Sequence, residues 1–89
     1  MATHVWNLGT VQNQQFPNRI TLVHAAPGTL FYALISNAGG GPVKILRGSQ
    51  AVASLPPGQS VAVAADADLH LELEEGPRRG ATGSFSLAA

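Results

Sequence analysis

Cysteine is absent from the sequence, which excludes a disulfide framework and any thiolate metal site, the two common staples of a small scaffold. Charge is scarce as well: Asp, Glu, Lys and Arg make up 11% of the chain, against roughly a quarter in ordinary soluble domains. No apolar run approaches the roughly 18–20 residues of a membrane-spanning helix. Met1, Ala2, Thr3 and His4 lack the basic-then-apolar start of an export signal. Apolar residues at three- and four-residue spacing are never sustained over successive turns, so no substantial helix is expected.

The signatures of catalysis are missing too. There is no G-x-S-x-G, and Ser36, Ser49, Ser54, Ser60, Ser84 and Ser86 fall in strand or ordinary turn contexts. The run Gly39, Gly40, Gly41 precedes Pro42 and a strand, not a helix with Lys and Ser or Thr, so it reads as a turn and not as a phosphate cradle. His4, His24 and His70 lie in separate segments without an H-x-H pair, which argues against a transition-metal site. Five dispersed cations without interleaved aromatics make no nucleic-acid surface. The expectation is a protein that is not an enzyme and has no cofactor, metal, nucleic-acid or membrane partner.

What is present is the punctuation of an all-β chain: apolar segments of four to seven residues separated by Gly, Pro, Asn and Asp. Eighty-nine residues form one domain, 1–89, with a thin core. About eight strands are expected, over 4–11, 19–25, 30–36, 43–47, 51–55, 60–65, 68–74 and 81–87. In the second, Ile20, Leu22 and His24 should share a face. The segment 30–36 is apolar on both faces and should be a central strand covered on both sides. Residues 37–42 read as a loop, and Pro56, Pro57 and Gly58 as a hairpin turn. Regular short strands point to a small antiparallel β-sandwich, jelly-roll-like or immunoglobulin-like, with a small barrel as the rival.

Charge sign is segregated along the chain. All five acidic residues, Asp66, Asp68, Glu72, Glu74 and Glu75, fall within residues 66–75, whereas Arg19, Lys44, Arg47, Arg78 and Arg79 lie outside that window. Asp66, Asp68, His70, Glu72 and Glu74 are spaced two apart and alternate with Ala67, Leu69, Leu71 and Leu73. On a strand that spacing builds a polar ladder on one face. Like charges about 7 Å apart along a strand repel one another. Water, a cationic strand of the same sheet, a divalent ion or another molecule can relieve that repulsion.

Two further features suit contact with a partner. The uncharged arm 12–18 carries Phe16 at its tip, and Ala51, Ala53, Ala62, Ala64 and Ala65 leave smooth strand surfaces that another molecule can approach closely. The expected function is that of a non-enzymatic structural protein, acting by self-association or by decorating a larger shell, fibre or virion. Its partner is itself or another structural protein, and the expected state is a homo-oligomer. Asp66, Asp68, His70, Glu72, Glu74, Arg78, Arg79 and Phe16 are the candidate contact residues. Association driven by these charges weakens as salt rises. The alternative is a binding module for carbohydrate or a cell-surface ligand, with Trp6 beside Asn7, or Phe16 beside the glutamines, as its aromatic platform.

Overall fold

The structure, a computed structural model, describes residues 3–26, 28–74 and 80–88. They form ten strands and, among the described residues, no helix. The strands are β1 (Thr3–Leu8), β2 (Thr10–Val11), β3 (Gln14–Gln15), β4 (Arg19–Val23), β5 (Phe31–Gly40), β6 (Val43–Arg47), β7 (Gln50–Leu55), β8 (Ser60–Ala65), β9 (Leu69–Leu73) and β10 (Ala81–Ala88). Two four-stranded antiparallel sheets result, sheet 1 in the order β1-β10-β5-β8 and sheet 2 in the order β4-β9-β6-β7. The short β2 and β3 pair only with each other, through a turn in which Gln12 and Asn13 take positive φ.

The ladders are nested along the chain: β6 pairs with β7, β5 with β8, β4 with β9, and β1 with β10. An eight-stranded sandwich folded by such nested pairs is a jelly roll, which selects between the two sandwich topologies expected.

Alternation decides which side chains enter the core. In β9, Leu69, Leu71 and Leu73 point inward while His70 and Glu72 point outward; β6 does the same with Val43 and Ile45 against Lys44. Sheet 1 contributes Trp6, Leu8, Phe31, Ala33, Ile35, Ala65 and Ala81 to the same core. Trp6 lies in register with Gly83. A Cβ at Gly83 would overlap the Ser36 carbonyl oxygen and the indole, so glycine is what lets the ring cross β10. The indole Nε1 then donates to the Ser84 carbonyl at 3.2 Å.

The fold departs from the expected organisation in five places. The segment 4–11 is not one strand, because Gly9, at φ 66, breaks it into β1 and β2, which join different sheets. Residues 37–40 are not loop but the second half of β5, because Asn37 is buried and its amide is fully engaged. Asn37 Nδ2 donates to Gly41 O and Leu55 O, both at 3.0 Å, and its Oδ1 accepts from Gly39 N at 3.1 Å. Pro56, Pro57 and Gly58 make no hairpin, since β7 belongs to sheet 2 and β8 to sheet 1. His24 does not share the core face of Ile20 and Leu22: a bulge at Leu22 turns Val23 toward the core, leaving His24 exposed. The last departure concerns β5. It is central, and its Phe31, Ala33 and Ile35 are buried, yet Tyr32 and Leu34 on its other face are 49% and 51% exposed.

Candidate association surface

The acidic ladder is shorter than its spacing suggests. Only His70 and Glu72 lie within β9; Asp66 sits exposed in the bend before it and Glu74 is exposed just after it. Asp68 precedes the strand and ties two segments together. Its Oδ1 accepts from Ala25 N at 2.8 Å, and Oδ2 lies 3.4 Å from His24 Nδ1. The Ala25 hydrogen bond, followed by the hydrogen bond and charge of His24 and the charge of His70, holds the carboxyl below its usual pKa against an opposing desolvation. His70 Nδ1 is 2.9 Å from Thr21 Oγ1. Glu72 stands directly opposite Arg19 on β4 and directly opposite Lys44 on β6. Its charge therefore has cationic cross-strand neighbours on both sides within its own sheet.

Arg78, Arg79 and Glu75 lie outside the described residues. Phe16 is half-buried, and its segment is pinned to the end of β1: Phe16 N donates to Gly9 O at 2.7 Å and Gly9 N to Pro17 O at 3.1 Å. The site residues expected from sequence are thus dispersed. Asp68 and His24 meet before β9, His70 pairs with Thr21, Glu72 sits mid-sheet, and Phe16 belongs to a separate hairpin. No group of three or more His, Asp or Glu converges as a metal site requires among the described residues. Trp6, the best platform for a sugar, is 2% exposed and belongs to the core.

The outward face of sheet 1 is of a different kind. Alternation from the buried positions places Thr3, Val5 and Asn7 of β1 and Thr82, Ser84, Ser86 and Ala88 of β10 on it. The neighbouring strands add Tyr32, Leu34 and Ser36 of β5 and Ser60, Ala62 and Ala64 of β8. None of these side chains is charged. Every charged side chain among the described residues lies on sheet 2 or in the segments flanking its strands. Val5 is 73% exposed, so three of the five large exposed apolar side chains among the described residues, Val5, Tyr32 and Leu34, share this face. Its apolar half, along β5 and β8, holds a shallow depression of about 310 Å³ lined by Tyr32, Leu34, Ala62, Ser86 and Ala88.

Several polar groups of the face are already paired with one another. Ser36 Oγ and Ser60 Oγ are 2.7 Å apart, and Thr82 Oγ1 donates to Asn7 Oδ1 at 2.8 Å. Burying hydrogen-bonded polar groups costs far less than burying free ones, so these paired parts of the face are less costly to cover. Of the alanines expected to leave smooth surfaces, Ala62 and Ala64 lie here, while Ala53 and Ala65 face the core. The local sequence did carry a signal for this face, namely a strand apolar on both sides, but it gave no means of knowing that one side stays uncovered within the chain. No family model matches this sequence, and comparison with curated proteins and with solved structures gives no match.

Proposed function

We propose that this chain is a structural protein that works by self-association, building or decorating a larger assembly, and that the outward face of sheet 1 is the surface it buries. The observation that carries the reading is β5, a central strand apolar on both faces whose Tyr32 and Leu34 have no covering layer among the described residues. Strands of that composition belong in sheets covered on both sides. A second copy fits the surface on charge as well: the face is uncharged, and the chain has a net charge of +0, so copies do not repel one another at a distance.

This places the contact on the sheet opposite the acidic strand, and the two locations respond to salt in opposite directions. Association through an apolar face persists or strengthens as sulfate or phosphate is added, whereas association through Glu72 and Glu74 weakens. Light scattering on the wild-type chain should give a particle larger than 9.2 kDa that survives high salt. Leu34→Lys, which plants a charge at the centre of the face, should lower the association constant at least about a hundredfold by burying an unpaired cation. A particle of one chain's mass at every concentration removes the reading.

A further inference from the structure

The edges of a sheet are templates for pairing with another chain unless something blocks them, and both edges of sheet 2 carry a block that the edges of sheet 1, β1 and β8, lack. In sheet 2, β4 carries Arg19 and a bulge at Leu22, and β7 carries a bulge at Val52. In sheet 1, β8 is paired without interruption to β5 from Phe31↔Ala65 to Ser36↔Ser60, and its six residues Ser60–Ala65 contain neither charge nor proline. Its free side is an unprotected template.

The hydrogen-bonding direction of β8 is set by its first contact. Asn37 N donates to the Gln59 carbonyl at 2.9 Å, so Gln59 faces β5. Counting by twos, Val61, Val63 and Ala65 also turn their backbone groups toward β5. The N–H and C=O groups of Ser60, Ala62 and Ala64 therefore point away from the sheet. All three side chains are small, which lets another backbone approach.

We infer that two copies of this chain pair antiparallel through β8, with Ala62 opposite Ala62 of the second copy, to give one continuous eight-stranded sheet. This rests on the proposed self-association and names its mode. In that register Val61 of one copy lies against Val63 of the other, and both are only half-buried within a single chain. Asp66 stays clear of its symmetry mate. Pairing at β8 also joins the two apolar halves of the outward faces, whereas pairing at β1 would join the halves that carry Asn7, Thr82 and Ser84.

Area argues the same way. Four strands about 4.8 Å apart and about six residues long present roughly 400 Å². That is half of the roughly 800 Å² per partner of a standard stable interface. Two copies joined at β8 present the full amount as one platform.

The absence of cysteine makes the test clean. Facing Ala62 residues in a hydrogen-bonded antiparallel pair have Cα atoms about 5.5 Å apart, within the range a disulfide bridges. Under mild oxidation, full-length Ala62→Cys should form a covalent dimer at least tenfold faster than Val5→Cys on the opposite edge. Equal rates at the two positions, or no dimer from Ala62→Cys, overturns the edge pairing. Leu34→Lys separates this result from the parent reading. Combined with Ala62→Cys it should still give the covalent dimer while larger particles disappear. If Leu34→Lys shrinks the wild-type particle but Ala62→Cys fails to cross-link, the face associates and the edge does not.

Discussion

Asp68 illustrates how a single carboxylate can hold two distant segments. It accepts from the backbone of Ala25, 43 positions away, and sits beside His24. Its pKa is lowered first by that backbone hydrogen bond and then by His24. With its folded pKa below the unfolded one, Asp68 stabilises the fold at pH values above the unfolded pKa, and that contribution is lost as pH falls through the folded pKa. Asp68→Asn should therefore be less stable than wild type near neutral pH, with the gap closing as the solution is acidified. Urea-unfolding midpoints across that range measure it; a gap that widens toward acid would contradict the assignment. Sequence spacing placed Asp68 among the acidic residues but could not reveal this tie. Which backbone amide a carboxylate reaches depends on how β4 and β9 are brought side by side. Asn37 was hidden for the same reason, since its partners Gly41 and Leu55 converge on it only once β5, β6 and β7 are in place.

At the scale of elements, alternation revealed most strands with little error. Segments 43–47, 60–65 and 81–87 agree closely with β6, β8 and β10, because a period of two reports which side chains face a core. Periodicity is silent on which strands pair, and pairing decides the electrostatics of β9. Glu72 read as one member of a self-repelling acidic row, yet the sheet sets it between Arg19 and Lys44. Glu72→Lys would put three cations abreast on sheet 2 and should destabilise the chain by about 1 kcal/mol, seen as a lower denaturation midpoint. The associated particle should keep its size, because the substitution lies on the sheet opposite Leu34. A collapse of the particle with an unchanged midpoint would return the contact to the acidic strand. For β5 the sequence pattern was right about composition and about a central position. It erred over coverage, because nothing in a strand's own residues states how many layers its chain can supply.

The whole molecule is a thin sandwich with extents of 38 × 26 × 19 Å, and a chain this short has little core to hold it together alone. If the folded form is also the associating form, mass action couples the two equilibria. The melting temperature should rise with protein concentration, by roughly 3–5 °C per tenfold for a dimer of this size, as read by calorimetry. Leu34→Lys should reduce that dependence to what pairing at β8 alone supplies. Concentration-independent melting in the wild type would detach stability from association.

The segregation of charge onto sheet 2 also gives a free copy the character of an amphiphile. At an air–water boundary it would settle with Tyr32 and Leu34 toward the air and with Arg19, Lys44 and Glu72 wetted. Dilute samples should accordingly adsorb to bubbles and vessel walls, the more so the fewer neighbouring copies there are to occupy that side first.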